Sequence, residues 1–232
     1  MNPPFIDIHT HCQSLVETCS RSYFSYGIHP WWLHPDIDPG KDLERLESFL
    51  EEGCLAAIGE TGIDRLYHDT LALQLETFEK HILLSEQYHK PLILHSVKAT
   101  ADLLRLHKKR QPIQPWIIHG FNGTEEEARL LTDRGIFLSV GESLLYPNRK
   151  IGKTILSIPW DYLFFETDTS GHGIETIYRM AAERLNVPLE TLKEKIFVNF
   201  ARLNLEPWKT GKTAHDCSSA TMALINWERA MC

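Results

Sequence analysis

Cysteine is scarce in this sequence, and long apolar runs are missing from it. The chain has 232 residues and five cysteines, which are Cys12, Cys19, Cys54, Cys217 and Cys232. None of them forms a Cys-x-x-Cys pair, and an odd number argues against a disulfide framework, so reduced thiols are the simplest interpretation. No segment approaches ~18 consecutive apolar residues, which excludes a membrane-spanning helix. Because Asp7 and His9 stand where a secretory signal needs an apolar segment, we expect a cytoplasmic protein.

Positive charge is also in short supply. Lysine and arginine together number 24 against 31 acidic residues, which gives a net charge of −7. This balance argues against a protein that holds duplex nucleic acid by general electrostatic attraction. It does not exclude an enzyme that acts on phosphate esters, because a site of carboxylates and imidazoles gains positive charge when divalent cations bind to it.

Short apolar runs alternate with helical patterns between residues 5 and 205. The predicted strands cover residues 5–9, 23–28, 55–59, 92–95, 116–119, 136–140 and 163–166. The predicted helices cover residues 42–52, 70–90, 100–109, 124–134, 174–185 and 189–203. Such repeated units predict an α/β protein with a parallel sheet, either doubly wound or closed into a barrel. We expect one α/β domain over residues 1–205 and a C-terminal tail over 206–232 that can form a short helix.

Six of the predicted strands end in residues that can bind a metal ion. The six tips are Asp7-Ile8-His9-Thr10-His11, Gly27-Ile28-His29-Pro30, Gly59-Glu60-Thr61-Gly62, His95-Ser96, His119-Gly120 and Glu166-Thr167-Asp168. A His-x-His pair alone is a weak signal, although alternation along a strand lets both rings face one ion. In a (β/α) barrel, however, all strand ends meet at one face, where the active site lies. The six tips together therefore favour a TIM-like (β/α) barrel with one site at that face.

In this order the motifs resemble the TatD family of metal-dependent hydrolases, which belongs to the amidohydrolase-like barrels. The resemblance covers about residues 5 to 205 and also includes Ile63-Asp64, the strand Pro91-Leu92-Ile93-Leu94-His95 and Phe121-Asn122-Gly123. It implies a hydrolase of ester bonds, and more specifically a phosphodiesterase or deoxyribonuclease whose substrate is nucleic acid, as single-stranded DNA or DNA ends. We predict neither a membrane association nor an obligate protein partner.

The resemblance also implies a cofactor of two divalent metal ions and the residues that bind them. The implied ligands of the two ions are His9, His11 and Asp168 for one, His95 and His119 for the other, and Glu60 as a bridge between them. A set this rich in imidazole favours zinc or manganese, whereas magnesium prefers oxygen ligands and several waters. The family is nevertheless often described as magnesium-dependent, so Zn²⁺, Mn²⁺ and Mg²⁺ all stay open.

Asp168 and Glu60 are the catalytic residues that the resemblance implies. Asp168 would take a proton from the attacking water and pass it to the leaving oxygen, as a general acid and base does. His29 would contact a phosphate of the substrate at the rim, and its alternative interpretation is a structural histidine before a rigid proline. Asp7 is better placed to orient a ligand than to bind metal.

The chain departs from the family pattern between its first two tips. Family members place a helix, a strand and a second helix there, whereas this chain has only residues 12–22. A crossover with even a single helix needs at least ~10 to 12 residues. We therefore predict a distorted, seven-stranded barrel with a wider cleft beside His29.

Two other functions fit the same residues. A hydroxide generated at metal ions attacks a carbonyl carbon as well as phosphorus, so the substrate could be a small ester, lactone or amide. The remaining alternative is a metal-binding barrel that has kept its ligands without catalysing a reaction.

Overall fold

The structure, a computed structural model, describes residues 3–11, 24–203 and 205. The strands in these ranges are β1 (Ser25–Tyr26), β2 (Ala57–Asp64), β3 (Leu92–Val97), β4 (Trp116–Ile118), β5 (Phe137–Val140) and β6 (Leu163–Phe165). The α-helices are α1 (Gly40–Glu51), α2 (Leu71–Tyr88), α3 (Thr100–Arg110), α4 (Glu125–Thr132), α5 (Ile151–Thr154), α6 (Ile174–Leu185) and α7 (Leu189–Arg202). The predicted short connection at 12–22 and the predicted tail at 206–232 lie outside the described residues.

All strands of the sheet are parallel and follow the order of the chain, from β1 beside β2 to β5 beside β6. A doubly wound sheet reverses its strand order at a switch point, where its ligands bind. This sheet has no such reversal between β1 and β6, so its topology is that of a barrel wall. The predicted α/β, barrel-like fold class is confirmed.

The first predicted strand forms a short bridge instead of a full strand. Thr10 pairs with Asp168 in parallel, and the amide of Ile8 donates to the carbonyl of Phe165 at 3.0 Å. Two further hydrogen bonds continue the contact past the end of β6, since the amide of Asp168 donates to the carbonyl of His9 and the amide of His11 donates to the carbonyl of Asp168, both at 3.0 Å. The sheet therefore has six strands, and a seventh segment lies along the free edge of β6.

The hydrophobic core lies against the sheet. Ile58, Leu94, Ile117, Leu138 and Phe164 are fully buried and come from five consecutive strands. Strands that are covered on both faces are expected to be continuous apolar runs, as these are. No helix in the described ranges is long and apolar enough to cross a bilayer.

Glu60 lies at an irregularity in β2, which is longer than the predicted strand at 55–59. Ile58 pairs with Leu92 of β3, but Thr61 pairs with Leu94, so β2 carries one extra residue between these two positions. Such a β-bulge bends a strand and redirects a side chain, which is common beside active sites.

Two glycines let β2 approach β3 closely at this bulge. Gly59 and Gly62 have φ angles of 148° and 141°. A Cβ atom at Gly59 would overlap the carbonyl oxygen of Ile93, and one at Gly62 would overlap that of His95. Glycine is therefore required at both positions, and the close approach places Glu60 beside the tip of β3.

Candidate metal centre

The carboxylate of Glu60 is buried among imidazoles, and its side chain is only 7% exposed. Its Oε1 atom lies 2.6 Å from Nε2 of His119, 3.0 Å from Nδ1 of His95 and 3.1 Å from Nε2 of His29. His95 belongs to β3, His119 directly follows β4, and His29 follows β1 after a short connection. Neighbouring parallel strands therefore direct three rings at one oxygen atom.

The second oxygen of Glu60 faces the segment that pairs with β6. Its Oε2 atom lies 3.3 Å from Nε2 of both His9 and His11. The same two nitrogens lie 3.8 and 3.6 Å from Oδ1 of Asp168, which is partly exposed. The bridge between Thr10 and Asp168 holds these groups together, because it places the first tip beside the last one.

Three sets of side chains in the described ranges have ligand atoms close enough to share a metal ion. The sets, each with its ligand atoms within 4.8 Å of one another, are His9, His11 and Asp168; His9, Glu60 and His119; and His29, Glu60 and His95. All six predicted ligands thus converge on one place. Their assignment to particular ions stays a prediction.

His29 lies deeper than the sequence suggested. We expected it at the rim, but it is only 6% exposed, and its Nε2 atom lies 3.2 Å from Nδ1 of His95. The amide of Trp31 donates to Nδ1 of His29 at 3.1 Å. In a neutral ring this contact leaves the proton on Nε2, so His29 presents a donor to the centre.

The donor set fits a divalent cation. Nε2 of His9 and Nδ1 of His119 are buried and have no hydrogen-bond partner within the described residues. A buried polar atom left without a partner costs free energy, and coordination by His9 Nε2 would remove that cost. Imidazole nitrogens together with carboxylate oxygens are typical ligands of zinc and related metals.

The electrostatics of the centre also suit a cation. Burial raises the pKa of Glu60, but hydrogen bonds from His11, His119 and His29 outweigh burial and hold that pKa well below its usual range. Burial lowers the pKa of His119, but Glu166 and Glu60 outweigh it and raise that pKa well above its usual range. Glu60 is therefore ionised, and a cation that binds His119 takes the place of its proton.

Two buried carboxylates lie next to imidazoles of the centre, on the side away from Glu60. The sequence alone assigned no role to either of them. Oδ2 of Asp64 lies 3.3 Å from Nε2 of His95, and Oε1 of Glu166 lies 3.8 Å from Nδ1 of His119. A carboxylate at hydrogen-bond distance, as Asp64 is, orients a metal-binding imidazole, whereas Glu166 acts on His119 through its charge. The available signal was their position, since both residues belong to strand-tip motifs that already contain a predicted ligand.

The carboxylate of Asp7 contacts Thr167, the residue before Asp168 in the last strand tip. This carboxylate accepts hydrogen bonds from the amide and the hydroxyl of Thr167, at 3.0 and 2.6 Å. Burial raises the pKa of Asp7 to about 6. The residue therefore fixes the position of neighbouring Asp168, which is an indirect form of the orienting role that we expected.

Comparison with known protein families gives a match over most of the chain. The profile of the family described as TatD related DNase matches residues 6–204. YcfH of Escherichia coli, named an uncharacterized metal-dependent hydrolase, is 32% identical over 209 residues, which cover 83% of this chain and 77% of that protein. An uncharacterized metal-dependent hydrolase of Buchnera aphidicola is 29% identical over 164 residues, which cover 68% of this chain.

The chain spans only part of some relatives. The match covers 62% of the length of the Buchnera protein. Among solved structures, that of YjjV, a TatD homolog from Escherichia coli, superposes with a TM-score of 0.71 at 25% identity and covers 82% of this chain and 79% of that one.

Proposed function

Because the chain belongs to the TatD related DNase family, we propose that it is a metal-dependent phosphodiesterase that cleaves single-stranded DNA or DNA ends. The observation that supports this function best is the enclosure of the Glu60 carboxylate by imidazoles from several strand tips. Imidazole rings that converge on a buried, ionised carboxylate form a typical ligand set for divalent cations, and phosphodiester hydrolysis uses such cations.

Two ligand groups meet at Glu60 in this proposal. His9, His11 and Asp168 form the first group, and His95 and His119 form the second, with one oxygen of Glu60 directed at each. Divalent ions held by these two groups would supply Lewis acidity and positive charge, which would acidify water and offset the charge of a phosphodiester. The predominance of imidazole favours zinc or manganese over magnesium.

Asp168 is the proposed general base. Its side chain is 36% exposed, whereas that of Glu60 is 7% exposed, so Asp168 is the carboxylate of the centre that a substrate and a water can approach. Oδ1 of Asp168 would accept the proton of the water as its oxygen bonds to phosphorus. It would return that proton to the oxygen that leaves when the ester bond breaks.

His29 is the proposed contact to the substrate. Since Trp31 donates to its Nδ1 atom, the proton of the neutral ring is on Nε2. An N–H donor of this kind suits a phosphate oxygen better than a cation, which needs a lone pair. Burial holds the pKa of His29 below its usual range, so the ring is neutral near pH 7.

The decisive experiment is incubation of metal-loaded protein with end-labelled single-stranded DNA. We expect shortening of the DNA by the wild type and its loss in His119→Ala. His34→Ala is the matched control, because the His34 side chain is 59% exposed and has no part in the centre. Equal shortening by wild type and His119→Ala would overturn the assignment.

The same preparation separates the alternative functions. Hydrolysis of a small ester or lactone without cleavage of DNA would keep the metal centre and overturn the substrate class. A metal content far below one ion per chain after purification without chelator, with no thermal stabilisation by Mn²⁺ or Zn²⁺, would favour a protein that does not catalyse hydrolysis.

A further inference from the structure

Two aromatic rings lie exposed beside the candidate metal centre. Trp31 is 48% exposed and Tyr67 is 46% exposed. Their ring centroids are 5.9 Å apart, with 33° between the ring planes. Single exposed apolar residues are common on proteins, but adjacent aromatic rings next to a candidate active site are typical of a binding surface.

The indole ring of Trp31 is held firmly against the centre. Its Nε1 atom donates to Oδ2 of Asp64 at 2.8 Å. The ring meets the imidazole of His29 at 4.8 Å between centroids and that of His95 at 5.5 Å, both nearly perpendicular. Since Asp64 is buried, these contacts fix the indole plane relative to the ligands while half of its surface stays accessible.

The backbone at Tyr67 is fixed by the same carboxylate residue. The amide of Tyr67 donates to the carbonyl of Asp64 at 3.2 Å, and the amide of Leu66 donates to Oδ1 of Asp64 at 2.9 Å. The buried side chain of Gln74 donates to the carbonyl of Tyr67 at 3.0 Å. The indole of Trp31 and the backbone of Tyr67 are therefore positioned before any ligand arrives, which lowers the entropy cost of binding.

We propose that Trp31 and Tyr67 form a stacking platform for an unpaired nucleobase adjacent to the phosphodiester bond that is cleaved. This subsite rests on the proposed function, because it assigns a substrate base to the same centre. Every nucleobase has a flat π-face, so aromatic stacking binds single strands with little sequence preference. A duplex offers such a face only at its ends, and the platform therefore selects single strands and frayed ends.

The charge of the protein supports stacking as a main source of affinity. Proteins that hold nucleic acid through phosphates use many lysine and arginine contacts. This chain has a net charge of −7, so a large general attraction to the phosphate backbone is absent. Stacking on a fixed indole does not depend on net charge, and it would place the base beside His29, the proposed phosphate contact.

Binding should be measured on metal-loaded protein with a labelled single-stranded oligonucleotide that has a cleavage-resistant phosphorothioate backbone. A second oligonucleotide of the same length carries abasic sites at its terminal positions. We expect Trp31→Ala to weaken binding of the first about five- to a hundred-fold and to leave binding of the second nearly unchanged. Tyr67→Ala should act in the same direction, and Tyr67→Phe should retain binding because it keeps the ring.

Phe197→Ala is the matched control, since Phe197 is an aromatic residue of α7 with 43% exposure. It should bind both oligonucleotides as the wild type does. Equal weakening of both oligonucleotides by Trp31→Ala, or no weakening of either, would overturn the platform. If the protein cleaves DNA and Trp31→Ala affects binding of the two oligonucleotides equally, the proposed function stands without the platform. If the protein cleaves no DNA but Trp31→Ala weakens binding only of the oligonucleotide that has its bases, stacking of a base on these rings stands, while cleavage of the adjacent bond and the proposed function are overturned.

Quenching by acrylamide tests whether something else already covers the rings. The difference between the fluorescence of the wild type and that of Trp31→Phe is the contribution of Trp31. In the free protein this component should be readily quenched, and the oligonucleotide with bases should protect it. Protection in the free protein, whether by another part of this chain or by a second copy of it, would overturn the proposal.

Discussion

Asp64 holds the imidazole of His95 from the side opposite Glu60. Its Oδ2 atom lies 3.3 Å from Nε2 of His95, while Nδ1 of the same ring lies 3.0 Å from Oε1 of Glu60. When a cation takes the lone pair of Nδ1, the proton of the neutral ring is on Nε2, and Asp64 accepts a hydrogen bond from it.

This arrangement predicts that Asp64→Ala lowers metal affinity although Asp64 binds no ion itself. We expect a loss of about 10- to 100-fold in a competition titration with a fluorescent zinc chelator. Asp64→Asn should lose less, because its amide oxygen still accepts from His95. Trp31→Phe, which removes another partner of Asp64, should leave the affinity unchanged. An Asp64→Ala protein with wild-type affinity would contradict the role of Asp64.

His29 should affect the substrate more than the metal. We expect His29→Ala to retain its metal content and to lose about 10- to 100-fold in kcat/KM, since hydrogen bonds to charged groups are worth about 1.5–3 kcal/mol. Metal analysis and steady-state kinetics on the same preparation provide the measurement. Loss of an ion together with activity would instead make His29 a ligand, as in the set with Glu60 and His95.

Gly62 should tolerate no side chain. Gly62→Ala would place a Cβ atom against the carbonyl oxygen of His95 at a φ of 141°, and we expect a loss of about 1–3 kcal/mol in the free energy of unfolding. Gly171→Ala is the control, because among the described residues no atom beyond its chain neighbours lies within 4 Å of a Cβ there. Urea unfolding of both variants provides the comparison, and equal midpoints would contradict the close approach of β2 and β3.

His81 should make the fold sensitive to acid. The ring is fully buried, its Nε2 atom accepts from the amide of Ile28 at 3.0 Å, and burial lowers its pKa to about 4. Because the pKa of His81 in the folded protein lies below the unfolded value of ~6.5, this ring is protonated in the unfolded chain but not in the folded chain when the pH lies between the two values. Stability from this group is therefore lost as the pH falls from about 6.5 towards 4.

The loss should be about 2 kcal/mol at pH 4.5 relative to pH 7. His81→Gln keeps a donor and an acceptor but does not titrate, and the other titrating groups are common to both proteins. Urea unfolding at the two pH values should show a smaller loss in the variant. Parallel losses in the two proteins would mean that His81 takes up a proton while folded.

The strand tips were predictable because they depend on local patterns. A short apolar run followed by His or Glu is visible in the sequence, and the parallel order of strands brings such ends together. Glu60, His95 and His119 meet for this reason. The barrel-like fold was predictable on the same grounds.

The depth of His29 and the role of Asp64 were not predictable, because both depend on tertiary contacts. The β-bulge at Glu60 arises only from the pairing of β2 with β3, which the sequence alone does not show. Trp31 and Asp64 lie 33 positions apart, and no local sequence pattern predicts their hydrogen bond.

The pairing of the first tip with the last also sets the order in which the centre matures during synthesis. Asp7 and Thr167 are 160 positions apart, whereas His29 and His95 are 66 apart. A ribosome has therefore released Glu60, His29, His95 and His119 well before Asp168 leaves the exit tunnel. On the growing chain, His9 and His11 can meet Glu60 early, but they meet Asp168, their second carboxylate, only after nearly all strands of the sheet have been made.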